Sequence, residues 1–127
     1  MLANRTAQDI MRSDVLSIST ETRAKEVETL LATHRVSGLP VVDESGQVVG
    51  IVSALDVLGK RPTTRAGTFM SSPVVAVGPS ATILEIARIL TEHRIKRVPV
   101  IGREGKLLGI VTRADIVREV AELGGGQ

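Results

Sequence analysis

Two short segments of this chain carry residue types at a spacing that small-molecule chemistry uses. Ser53-Ala54-Leu55-Asp56 and Thr112-Arg113-Ala114-Asp115 each place a hydroxyl three residues before a carboxylate, directly after the apolar runs Gly50-Ile51-Val52 and Gly109-Ile110-Val111. A short apolar, β-branched run reads as a buried strand, and the polar quartet after it reads as the start of a helix. An ionised aspartate is an acceptor-only pair of oxygens, suited to two vicinal hydroxyls such as those of a ribose. The first turn of a helix offers N–H donors and the positive end of the helix dipole, which suit a phosphate. The same spacing also describes a capping box with Asp in place of Glu, in which both side chains only satisfy backbone donors. The two roles are compatible.

Lys96-Arg97, immediately before Val98-Pro99, are the other candidates for holding a phosphate, and the matching positions of an earlier, similar stretch are Ser37-Gly38. The cleft lined by Lys96 and Arg97 is therefore expected to prefer the more highly charged ligand. A solvated basic pair at a helix-to-strand turn is the alternative. His34-Arg35 and His93-Arg94 each close a helix, where cations favour the negative end of the dipole. Two histidines at separated, equivalent positions offer no metal-ligand spacing, so the expectation is a structural role and no metal. Neither a G-x-S-x-G elbow, a phosphate loop ending in Gly-Lys-Ser/Thr, nor a zinc constellation is present, and nothing beside Asp56 or Asp115 in sequence suggests proton transfer. The chain reads as a binding protein and not an enzyme.

The elements that position these residues follow from an internal repeat. A shift of 59 residues aligns, without a gap, Met11 with Met70, Glu26 with Glu85, His34-Arg35 with His93-Arg94, Pro40-Val41 with Pro99-Val100, Gly50-Ile51-Val52 with Gly109-Ile110-Val111, and Asp56 with Asp115. Each copy opens with a β-branched strand (15–18 and 74–77) and continues into an amphipathic helix. Apolar residues recur there at spacings of three and four: Ala24, Val27, Leu30 and Leu31, then Ile83, Ile86, Ala87 and Leu90. Thr82-x-x-Glu85 is a capping box, whereas Arg23 occupies the matching place in the first copy, so Thr22 or Thr20 is expected to cap there. A hairpin follows, formed by 39–42 with 48–52 and by 98–101 with 107–111. Its prolines, Pro40 and Pro99, are expected at the start or the exposed side of their strands. A closing helix begins near Ala54 or Arg113.

The expected fold class is α/β (α+β), with two pseudo-symmetric β-α-β-β-α units packed through their sheets and two clefts between them. The expected boundaries are 6–59 and 68–121, joined by a linker at 60–67 and followed by a disordered tail at 122–127. A lead-in helix is expected at 6–11, with a weaker echo at 66–70.

Composition narrows the function classes. The chain has 127 residues with a hydrophobic fraction of 43%, and Phe69 is its only aromatic residue, too little for base stacking. Sixteen basic and fourteen acidic residues leave a net charge of +2 with no basic stripe, which argues against a nucleic-acid partner. Without cysteine, disulfide and thiolate chemistry are excluded. No apolar run reaches the roughly 18 to 20 residues of a membrane span, and the N-terminus lacks the apolar run of a signal peptide. A cytoplasmic protein is the expectation.

The ordered set of motifs resembles the tandem CBS-domain pair, or Bateman module. The resemblance runs through Asp9-Ile10-Met11, His34-Arg35, Gly38-Leu39-Pro40-Val41-Val42-Asp43 and Gly50 to Asp56. It returns in Met70-Ser71-Ser72-Pro73-Val74, His93 to Val100 and Gly109 to Asp115. It implies a regulatory module that binds an adenosine-containing ligand (AMP, ADP, ATP or S-adenosylmethionine), with no cofactor, acting as a homodimer on an effector protein in trans. The Ser/Thr and Asp of each G-h-h-[ST]-x-x-D segment, here Ser53 with Asp56 and Thr112 with Asp115, would hold phosphate and ribose. Adenine would lie between Ser17-Ile18 and Leu39-Pro40 in one copy, and between Ala76-Val77 and Val98-Pro99 in the other. Arg97 would serve the cleft that carries Ser53 and Asp56. The competing reading is a dimerisation scaffold whose clefts stay empty.

Overall fold

The computed structural model describes residues 4–124. The apolar periodicity of the two long amphipathic stretches becomes α2 (Ala24–His34) and α5 (Ile83–His93), eleven residues each. α2 turns Ala24, Val27 and Leu31 inward, and α5 turns in Ile83, Ile86 and Leu90. Each helix covers a hairpin: β2 (Gly38–Val42) with β3 (Val48–Ser53), and β4 (Arg97–Ile101) with β5 (Leu107–Thr112). Both pairs are antiparallel, in register Leu39 to Val52 and Val98 to Val111. Two separate apolar cores result, one around Val27, Val41 and Val52, the other around Ile86, Val100 and Val111.

The opening strands are shorter than their β-branched runs suggest. β1 is only Ile18–Ser19, parallel to β2, and the second copy has a single parallel bridge from Val77 to Val100. The prolines explain this. Val77 donates its N–H to the Pro99 carbonyl at 3.1 Å, and the Val77 carbonyl accepts from Ile101 N at 2.9 Å. The next rung of a parallel ladder would need an N–H from Pro99 for the Val75 carbonyl, and proline has none. Pro40 stands at the same point of the first copy, opposite Ile51. Contrary to expectation, both prolines are mid-strand and fully buried. Each directs its missing donor toward the neighbouring strand and so ends that strand's pairing.

Helix starts also depart from expectation. Arg23 is the N-cap of α2 and makes no side-chain cap. Thr22 Oγ1 instead accepts from Ser19 N at 3.1 Å. The first N–H groups of α2 are satisfied by the stretch expected to be a free linker: Ala24 N donates to Thr64 O at 2.8 Å and Lys25 N to Pro62 O at 3.1 Å. Thr82 caps α5 by accepting from Glu85 N at 3.1 Å. At the other end, Arg35 and Arg94 close the two helices in the left-handed region, with φ of 53° and 54°. That conformation costs a residue with a Cβ about 1 kcal/mol. Replacing either arginine with glycine is therefore expected to raise the unfolding free energy by about 0.5–1 kcal/mol, read from urea melts at unchanged slope.

The compact units do not coincide with the sequence repeats. The first unit comprises residues 16–74 with 104–106, and the second comprises 4–15, 75–103 and 107–124. In the second unit α1 (Ala7–Ile10) pairs with the start of α5: Ala7 N donates to Ala81 O at 2.8 Å, and Ile83 N donates to Arg5 O at 3.2 Å. Its continuation runs beside β5, where Arg12 and Ile110 exchange both backbone hydrogen bonds at 3.0 Å. In the first unit α4 (Ala66–Phe69) does the same for α2, with Ala66 N to Thr22 O at 2.8 Å, and Ser71 pairs with Ile51 of β3. Ala7 and Ala66 are wholly buried. Residues 104–106 join the first unit through Gln47, whose Nε2 donates to Glu104 O at 2.6 Å. The tail expected at 122–127 begins inside a helix, because α6 spans Arg113–Gly124; residues 125–127 lie outside the described residues.

Candidate functional site

Each strand-to-helix junction is built by the hairpin register. β3 ends at Ser53, opposite Gly38, and α3 (Ala54–Val57) starts at the next residue. β5 ends at Thr112, opposite Arg97, and α6 follows. Both quartets adopt capping-box geometry. Ser53 N donates to Asp56 Oδ2 at 2.7 Å and Asp56 N to Ser53 Oγ at 3.3 Å. Thr112 N donates to Asp115 Oδ2 at 2.9 Å and Asp115 N to Thr112 Oγ1 at 3.2 Å. The capping function is real, and it also holds each carboxylate in one place. One oxygen of each Asp is tied to its own cap, and each hydroxyl accepts one bond while retaining its O–H to donate.

The expected supply of phosphate-binding N–H groups is mostly consumed. Ala54 N donates to Ser37 O at 2.9 Å and Arg113 N to Lys96 O at 2.7 Å, while the Asp N–H groups go to the cap hydroxyls. Among the described residues, Leu55 N and Ala114 N remain in those first turns. A phosphate would therefore rely on the retained hydroxyls and on nearby cations more than on the helix ends.

The two junctions are unequal. Residues directly opposite on an antiparallel pair project to the same face about 5 Å apart. Arg97, half-buried, thus stands beside Thr112, whereas the residue beside Ser53 is Gly38, which has no side chain. Lys96 is exposed and gives its carbonyl to the start of α6. Asp115 is 4% exposed, and its Oδ1 accepts from Arg118 Nη1 at 3.1 Å. Asp56 is half-buried, and the residue matching Arg118 in the first copy is Gly59. Sequence reasoning missed Arg118. The signal was available as a basic residue three places after Asp115 on the same helix.

Of the residues expected around an adenine, Ser17 and Ala76 keep partial exposure. Ile18, Leu39, Val77 and Val98 belong to the two cores, and Pro40 and Pro99 are buried. His34 and His93 are each the last residue of their helix and are exposed. Among the described residues no group of three or more His, Cys, Asp and Glu side chains is arranged to hold a metal ion. No helix among them is long and apolar enough to cross a membrane.

Comparison with known proteins places these junctions in context. The model of the CBS domain matches residues 7–62 and again residues 66–122. Inosine-5'-monophosphate dehydrogenase of Korarchaeum cryptofilum is 31% identical over 115 residues, which is 90% of this chain and 24% of the dehydrogenase. The chain thus spans about a quarter of the length of such relatives. Among solved structures, Arabidopsis thaliana CBSX2 in complex with AMP superposes with a TM-score of 0.85 at 30% identity, covering 94% of this chain and 98% of that one. The CBS domain pair of protein MJ0100, in complex with 5'-methylthioadenosine and S-adenosyl-L-methionine, gives a TM-score of 0.86 at 25% identity, covering 97% and 98%.

Proposed function

This chain belongs to the CBS-domain family as a tandem pair, and on that premise we propose that it is a regulatory module that binds an adenosine-containing ligand. The observation that carries the reading is the fixed carboxylate at each strand-to-helix junction, Asp56 and Asp115. Each is held to its own cap through Oδ2, and its Oδ1 takes no part in that bond. A ribose presents two adjacent hydroxyl donors to such a group, and the Ser53 or Thr112 hydroxyl donates to a phosphate oxygen. The AMP carried by CBSX2 and the S-adenosyl-L-methionine carried by the MJ0100 pair support this ligand class. Ser17 and Ala76, with the backbone of the buried strand residues around them, are proposed to line the adenine. Lys96 and Arg97 are proposed to select the charged end of the ligand.

Regulation then means that ligand changes the state of a partner protein acting in trans, within a homodimer of this chain. The ligand must bind two states of the module with different affinity for that to happen. We carry over no dehydrogenase activity from the longer relatives. The competing scaffold reading draws on Leu55 and Leu58 of the α3 segment, 79% and 64% exposed. A thermal-shift panel of AMP, ADP, ATP, S-adenosylmethionine and adenosine separates the two. Binding to the folded form alone stabilises by about 2.7 kcal/mol at a hundredfold excess over Kd, a rise of several degrees in Tm. No shift at millimolar concentration with any of them would leave the scaffold.

A further inference from the structure

We infer that Arg118 is a latch on Asp115, so that the second unit's junction accepts a ribose only when this guanidinium lets go. The inference rests on the ribose-binding reading of Asp115 given above. Asp115 is the only buried charged or polar residue among those described, at 4% exposure. Both of its oxygens are engaged: Oδ2 by Thr112 N at 2.9 Å and Oδ1 by Arg118 Nη1 at 3.1 Å. With Oδ2 on the cap and Asp115 only 4% exposed, a diol has to approach through Oδ1, the oxygen that Arg118 covers. Ligand and Arg118 therefore compete for one acceptor.

The first unit lacks this competitor. Gly59 stands where Arg118 stands in the second copy, α3 stops at Val57, and among the described residues Asp56 has no ion pair. The pseudo-symmetric junctions thus differ by a lock as well as by the basic pair Lys96-Arg97. Arg118 itself is 56% exposed at its side chain, so the lock is weak, screened by salt, and able to swing into solvent. A ligand carrying phosphate offers the released guanidinium a new anion, and a neutral nucleoside does not. The latched junction is accordingly biased toward phosphorylated ligands, while the unlatched one is not.

Adenosine is the probe of choice, because it is uncharged and salt then acts on the protein alone. Calorimetric titration uses the full chain carrying Asp56→Ala, which removes the first junction, with and without Arg118→Gln. Glutamine is a good helix former at an exposed position, so folding is preserved. Arg118→Gln is expected to tighten adenosine binding about 1.5-fold to fivefold, the range set by an exposed ion pair. Adenosine affinity of the protein that keeps Arg118 should rise between 50 mM and 500 mM salt as the pair is screened, and Arg118→Gln should abolish that rise. Equal or weaker binding by Arg118→Gln, with binding by the wild-type protein intact, would overturn the latch and leave the ribose reading standing. Absence of binding of both adenosine and AMP to wild type and every variant would overturn the ribose reading and the latch together.

Discussion

Replacing Asp56 and Asp115 together with alanine should weaken AMP binding about 100-fold or more, while Asp9→Ala leaves it unchanged, both read by calorimetry. Two hydrogen bonds to a charged acceptor contribute about 1.5–3 kcal/mol each, and a ribose diol loses both. Asp9 is the control because it occupies the same local structure without the proposed ligand role. Thr6 N donates to Asp9 Oδ2 at 2.9 Å, as Ser53 N and Thr112 N do to their aspartates. The backbone N–H and the side chain of Thr6 hold the Asp9 carboxyl below its ordinary range. Each of the three aspartates satisfies the N–H of its own N-cap residue, so each single variant should melt at a lower temperature. Only the two junction aspartates should also lose ligand. Equal ligand affinity in all of them would reduce both quartets to caps.

A valine at position 109 should lower the unfolding free energy by about 2–4 kcal/mol, measured by denaturant melts. The Gly-Ile-Val runs begin with glycine because another backbone crosses there. A Cβ at Gly109 would stand 2.6 Å from Arg12 O and 2.7 Å from Met11 Sδ, and the Arg12 carbonyl is pinned by its hydrogen bond from Ile110. At Gly50 a Cβ meets Met70 Sδ at 2.6 Å and Ser71 O at 2.9 Å, so part of that contact is a flexible side chain that can yield. Gly50→Val should therefore cost less than Gly109→Val. At Gly78 a Cβ meets nothing within 4 Å, and Gly78→Ala should change stability by less than about 0.5 kcal/mol. The reverse order would mean that the lead-in segments do not pack on β3 and β5.

The repeat made most of the architecture legible. An ungapped register forces equal element order on both copies, and the three- and four-residue spacing of Val27 with Leu31 and of Ile83 with Ile86 and Leu90 marked the buried faces that form. The lengths of the opening strands were not legible from their own residues. Val74 and Val75 are good strand formers, yet their pairing ends because Pro99, more than twenty residues away, lacks a donor. The difference between α3 and α6 was partly legible: Gly59 and Pro62 follow the first, while Val117 to Val120 continue the second. The exchange of lead-ins was invisible, since nothing in Thr6-Ala7-Gln8-Asp9 says which copy of a near-identical partner it will join. At the junctions, residue types and spacing identified the clasp. The occupation of Asp115 Oδ1 by Arg118 depends on a rotamer, and spacing alone does not determine a rotamer.

The crossed lead-ins also set an order of events as the chain leaves the ribosome. Residues 16–74, nearly the whole of the first unit, emerge as one continuous stretch, with α4 and Ser71 arriving soon after the partners they cover. Residues 4–15 emerge earlier still, but their partners Ala81, Ile83 and Ile110 are synthesised much later. This lead-in therefore waits longer for its native contacts than α4 does, and contacts of such sequence separation are the slow ones to form. Until residue 110 is available, the strand edge of Arg12 lacks its backbone partner.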